Sequence, residues 1–128
     1  MDNSISDLQS VFDESALLQR IMDDTSLEKN IISVFLVEIP ELILKLKQYI
    51  NDQDAVNARL QAHTIRGASA NLSANNLFLA ARRVEELCEA GDFNGCLACI
   101  PALEAEFDLF VDVIKTSGLL TTLEENGE

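Results

Sequence analysis

Apolar residues return at intervals of three and four along four successive stretches of this chain, and no stretch alternates with the period of two that a half-buried strand needs. That pattern confines the fold to packed helices. The clearest run is Ile32, Phe35, Ile39, Leu42, Leu46 and Tyr49, which predicts a long helix over about 26–51 with one apolar face. Thr25-Ser26-Leu27-Glu28 at its start reads as a capping box, in which a hydroxyl and the glutamate side chain satisfy backbone donors at the helix end. Pro40 lies inside the run and is expected to kink the helix, because it lacks a backbone donor and crowds the preceding turn. The apolar phase continues across it, so one helix is expected rather than two.

Asn51-Asp52-Gln53-Asp54 forms a turn ending in a cap, after which Ala55, Ala58, Ala62, Ile65, Ser69 and Leu72 mark a second helix over about 55–72. These residues are mostly small, so neighbouring helices can come close. Beyond Ser73-Ala74-Asn75-Asn76, the residues Leu77, Ala80, Ala81, Val84, Leu87 and Cys88 predict a third helix over about 75–90, stopped by Gly91. Asp92 or Asn94 caps the fourth, with Leu97, Ile100, Phe107, Val111 and Ile114 inward and Pro101 as a second irregularity. Ahead of all four, Asp13 caps a short helix over about 14–22 with Leu17, Leu18 and Ile21 inward, an N-terminal lid.

Four long amphipathic helices joined by short turns predict an all-α fold: an antiparallel up-down four-helix bundle with a short N-terminal helix. The 128 residues are expected to make a single domain. Its core is placed at about 13–116, with residues 1–12 and 117–128 as loosely ordered ends, from which Leu8, Val11 and Phe12 are available to pack onto the bundle.

Charge narrows the partners. With 22 acidic against 9 basic residues the net charge is −13, which argues strongly against a nucleic-acid partner and disfavours an anionic membrane, since both require a basic surface. No apolar stretch reaches the ~20 residues that span a bilayer, and Met1-Asp2-Asn3-Ser4 lacks the features of a signal peptide, so a cytoplasmic protein is expected. In that compartment Cys88, Cys96 and Cys99 read as reduced packing thiols. A zinc site on Cys96-x-x-Cys99 would want four ligands, and the chain has one histidine, so no metal is expected. Four of the nine basic residues, Arg59, Arg66, Arg82 and Arg83, fall in one 25-residue stretch, a local excess able to hold a phosphoryl group.

That stretch contains the lone histidine, His63. At 3.6 residues per turn His63, Arg66, Gly67 and Ala70 share one face, to the side of the core stripe. Glycine inside a helix costs about 1 kcal/mol relative to alanine, and the compensating reason read here is access: a floor almost without side chains beside an imidazole and a fixed cation. Another protein can approach closely there.

The run His63, Ile65, Arg66, Gly67, Ala68, Ser69, Leu72 and Ser73 resembles the signature of the histidine-containing phosphotransfer (HPt) domain, commonly His-x-Leu-Lys-Gly-Ser-Ala followed by Leu-Gly. Arginine stands for the usual lysine, keeping the charge and changing its donor geometry; Ser73 stands where glycine is often found. The likeness extends over most of residues 13–116 and implies the same four-helix bundle. It further implies His63 as phosphoacceptor, Arg66 as the cation steadying phosphoryl oxygens, and Glu85 on the following helix as a residue directed at the imidazole. Arg59, Gly67 and Ala70 are the candidate docking residues.

No glycine-rich nucleotide loop, serine-histidine-acid set or carboxylate cluster for magnesium accompanies the histidine, so a carrier without a kinase or ATP site of its own is expected. The implied partners are response-regulator receiver domains and a hybrid sensor kinase, the receiver supplying the aspartate and Mg2+, and the carrier being a monomer without cofactors. One alternative is a helical interaction module that docks receivers without phosphotransfer. Another, the dimerisation and phosphoacceptor domain of a sensor kinase, usually has an acidic residue after the histidine and a proline further along. Thr64, and a helix free of proline beyond His63, argue against it.

Overall fold

A computed structural model describes residues 4–119 as six helices: α1 (Ser4–Val11), α2 (Glu14–Arg20), α3 (Thr25–Asn51), α4 (Ala55–Leu72), α5 (Asn75–Glu89) and α6 (Phe93–Ser117). The last four form the bundle. Each packs on the next and α6 returns to α3, while links of three, two and three residues force the chain to reverse at each end. Pro40 and Pro101 lie inside α3 and α6 without dividing them.

Aspartate starts four of these helices. Asp13, Asp24, Asp54 and Asp92 each accept the backbone N–H three residues on, at 3.2, 3.0, 3.2 and 2.9 Å, satisfying donors that have no partner within the helix. The expected capping box is thereby corrected: Asp24, one residue before Thr25, is the cap of α3, and Glu28 turns inward rather than back to the helix end. At the start of α6 the structure chooses Asp92 over Asn94.

The core stripes follow the expected period with local shifts of phase. On α3 Ile32, Phe35, Ile39, Ile43, Leu46 and Ile50 are buried, so Ile43 and Ile50 take the central places expected for Leu42 and Tyr49, which flank them half-buried. On α6 the inward face is Cys96, Ile100, Leu103, Phe110 and Ile114, with Phe107 packed beside it. Leu97 is exposed and Val111 half-buried, correcting their inward assignment. Counting back from Ile100 by four reaches Cys96, a small apolar residue equally at home inside. On α4 the small stripe of Ala58, Ala62, Ile65, Ser69 and Leu72 is buried, with Ala55 half-buried at its start.

At the N-terminus α1 stands where loose chain was expected, and the core reaches back to Val11 and Phe12. Phe12 meets Phe110 edge-on with ring centres 5.5 Å apart, and Phe110 meets Phe35 at 5.1 Å, so three aromatic rings join this segment to α3 and α6. Residues 1–3 and 120–128, the outer parts of the two ends expected to be loosely ordered, lie outside the described residues.

α2 fastens onto the end of α4. Ser73 adopts the left-handed conformation usually taken by glycine (φ 58°), and Ser73 and Ala74 return their N–H groups to Ala70 and Ser69, the Schellman closure of a helix. Arg20 of α2 donates to Asn71 O at 2.6 Å and Ser73 Oγ at 2.7 Å, and Asp13 N donates to Ser73 O at 3.0 Å. A serine at this corner thus closes α4 as glycine would and adds a hydroxyl that anchors the lid.

Candidate functional site

α4 carries His63 in its middle, and α5 runs antiparallel beside it with Glu85 facing the ring. Glu85 Oε2 lies 3.0 Å from His63 Nδ1. The stripe of α4 is small and buried, so the neighbouring helices, α5 among them, can approach it closely. The imidazole is 53% exposed and Glu85 only 13%, so the ring stands at the surface on a largely covered carboxylate. Its other nitrogen, Nε2, makes no hydrogen bond among the described residues.

Arg66 completes the group. Its Nη2 lies 2.8 Å from His63 Nδ1 and its Nε 3.0 Å from Glu85 Oε1. The cation expected beside the histidine is therefore on the Nδ1 side of the ring, paired with the carboxylate. Beyond it, Gly67 is exposed, and a Cβ built there would meet nothing within 4 Å. The glycine does not serve a tight helix crossing; the floor beside the imidazole is open. Ala70 is exposed one turn further on, and Arg59 is half-buried one turn before His63. Arg82 and Arg83 are exposed on α5, Arg82 resting over the Phe78 ring at 5.7 Å.

Two features escaped the sequence. A trough between α3 and α4 is lined by Ile31, Val34, Phe35, Ala68 and Leu72, with Asn30, Glu38 and Asn71 among them; Ile31 and Val34, apolar yet off the main stripe of α3, were the available signal. The other is the ion pair of Arg66 with Glu85, which no spacing reveals because the residues lie on different helices.

The thiols belong to the packing of α5 on α6. Cys88 and Cys96 are buried with their sulfurs 3.1 Å apart; burial first, then the neighbouring sulfur, pushes the Cys88 thiol up to about 12. Such a thiol stays protonated. Among the described residues no three His, Cys, Asp or Glu side chains gather as metal ligands would, and no helix is long and apolar enough to cross a membrane.

The family model of the Hpt domain matches residues 30–112, taking in all of α4 and α5 and most of α3 and α6. The chain belongs to the Hpt domain family. Hpt domains are phosphocarriers without kinase activity, and the family implies interaction with response-regulator receiver domains. This Hpt domain is also similar to histidine-containing phosphotransfer protein 2 of Arabidopsis thaliana, with 22% identity over 143 residues that cover 98% of this chain and 92% of the relative. No solved structure matches it.

Proposed function

We propose that this Hpt domain is the phosphotransfer protein of a multistep two-component phosphorelay, carrying a phosphoryl group on His63 between the aspartates of receiver domains. The observation that carries the reading is the ring itself: Nδ1 lies 3.0 Å from Glu85 Oε2, while Nε2 makes no hydrogen bond among the described residues and the side chain is 53% exposed. With its proton on Nδ1 the neutral ring offers the Nε2 lone pair to phosphorus. A P–N bond forms as the bond from phosphorus to the partner's aspartate oxygen breaks, and that carboxylate leaves with the bonding pair. The ring gains positive charge in this step, which Glu85 steadies through Nδ1–H; Arg66 steadies the phosphoryl oxygens. Delivery to the next aspartate reverses the sequence.

A receiver docking on this face would cover Gly67 and Ala70, with Arg59 at its margin. The Mg2+ ion that offsets transition-state charge would come with the receiver, and this chain would need no cofactor of its own. A complete one-chain bundle suits a cytoplasmic monomer receiving its phosphoryl group from a hybrid sensor kinase. The test is transfer from a phosphorylated receiver to the purified chain. Expected is an acid-labile, alkali-stable label that His63→Gln abolishes without loss of helical structure, and no label from ATP alone. Docking without labelling would instead support the interaction module, and labelling from ATP would overturn the carrier.

A further inference from the structure

The contacts at His63 Nδ1 cannot all be made at once. A ring nitrogen either carries a proton and donates, or carries a lone pair and accepts. Glu85 Oε2, 3.0 Å away, is a carboxylate oxygen and accepts; Arg66 Nη2, 2.8 Å away, can only donate. The bond to Glu85 therefore needs the proton on Nδ1, which in the neutral ring leaves Nε2 bare. The bond from Arg66 needs a bare Nδ1, which places the proton on Nε2 and removes the lone pair a nucleophile uses.

The arginine is built to hold the second arrangement. Its Nη2 reaches the ring at 2.8 Å while its Nε stands 3.0 Å from Glu85 Oε1 as an ion pair that makes no hydrogen bond, so one rigid, charged plate lies against both the carboxylate and the imidazole. Lysine, with a single nitrogen at the end of a flexible stem, has no such fork. Arginine at this position therefore changes what the site can do.

Resting on the reading of His63 as acceptor, we propose that Arg66 gates the histidine. In the free chain it donates to Nδ1 and keeps the ring as the Nε2–H tautomer, which is not nucleophilic. The phosphoryl anion of an arriving receiver draws the guanidinium away; the bared Nδ1 takes up a proton from solvent and donates it in a hydrogen bond to Glu85, Nε2 then releases its own proton to solvent, and the Nε2 lone pair is exposed. The ring is neutral before and after the exchange and passes through the imidazolium, whose charge Glu85 steadies. The driving energy is the anion's preference for the state in which Arg66 is free to meet it. Arg66 is then a positioning residue before the partner arrives and a phosphoryl contact afterwards.

The chain has one histidine, so ring nitrogen-15 spectra of the full, histidine-labelled protein report this site without ambiguity. At about pH 8.5, where an ordinary imidazole is neutral, the wild-type ring is expected to show its lone-pair resonance at Nδ1. In Arg66→Lys and Arg66→Ala, with Glu85 left as the dominant partner, that resonance should move to Nε2. A wild-type ring already bare at Nε2, or two variants with the wild-type tautomer, would overturn the gate. Labelling of His63 by a phosphorylated receiver is read separately: if it fails while the tautomer moves as expected, the acceptor reading falls; if it succeeds while the tautomer does not move, the gate alone falls.

Discussion

Two glutamates of this bundle lie beside a second charged group, and their surroundings give them opposite chemistry. Glu85, in the α4–α5 site, has Arg66 at 3.0 Å and the imidazole at 3.0 Å. Glu28, where α2 meets α3, is 1% exposed and its near neighbour is Glu14, another acid. Burial first, then the hydrogen bond and like charge of Glu14, raise Glu28 to about 7, with Lys29 pulling weakly the other way. A carboxylate at a half-covered surface stays useful when a cation shares its charge; one that faces another carboxyl holds a proton instead. One pairing stands beside the histidine proposed as phosphoacceptor. The other holds a lid and ties its stability to pH.

Removing the cation from the site is the strongest way to break this contrast. Arg66→Ala leaves Glu85 without its counter-charge and the phosphoryl oxygens without theirs, and single-turnover transfer from a labelled receiver should fall tens- to a hundredfold, corresponding to about 2–3 kcal/mol of transition-state stabilisation. Circular dichroism should remain that of the wild type, because Arg66 belongs to no core stripe. A wild-type rate would remove the electrostatic role.

At the other glutamate the effect is on stability. The folded chain holds Glu28's proton to about 7, against 4.5 for the ordinary side chain, so folding takes up a proton there. Its contribution is fully present below pH 4.5, declines as the pH rises through about 7, and changes no further above that. Glu28→Gln, uncharged at every pH, should remove this slope and be more stable than wild type at about pH 8 by on the order of 2 kcal/mol. Urea unfolding at about pH 5 and pH 8 measures both. An unchanged slope would mean that Glu28 ionises freely and that its burial costs nothing.

Glu85→Ala sharpens the comparison from the site's side. It should slow transfer less than Arg66→Ala does, by about tenfold or roughly 1.4 kcal/mol, because Glu85 orients the ring and does not meet the phosphoryl group. An effect larger than that of Arg66→Ala would reverse the two roles. The smallest expected energy belongs to Gly67. Since a Cβ there meets nothing within 4 Å, Gly67→Gln should leave the fold intact or gain up to ~1 kcal/mol, while receiver binding and transfer fall together. Unfolding of this variant would contradict the open floor that distinguishes this face from the closed one around Glu28.

The spacing of apolar residues placed α3, α4, α5 and α6 close to their observed bounds, because a helix repeats every 3.6 residues and a buried face shows that period directly. It was less able to choose the central residue where two apolar neighbours compete. Ile43 displaced Leu42, and Cys96 displaced Leu97, since the winner depends on where the facing helix lies. The cap of α3 was misread for a related reason: Thr25 and Glu28 satisfy the local motif, but burying Glu28 against α2 overrides it and leaves Asp24 to cap. α1 carried too short an apolar pattern to be read as a helix, and its anchor, Phe12 on Phe110, joins residues 98 positions apart.

What the sequence by itself determined is therefore everything local: an all-helical chain, His63, Arg66 and Gly67 on one face of one helix, an acidic body, and the residue types that resemble an Hpt domain. Only the tertiary structure decided what those residues touch. It brought Glu85 from α5 to Nδ1, put Arg66 on the same nitrogen, opened the space above Gly67 and set Glu28 against Glu14. The physical reason is range: helical periodicity acts over three or four residues, whereas a hydrogen bond between helices depends on how closely two whole faces pack.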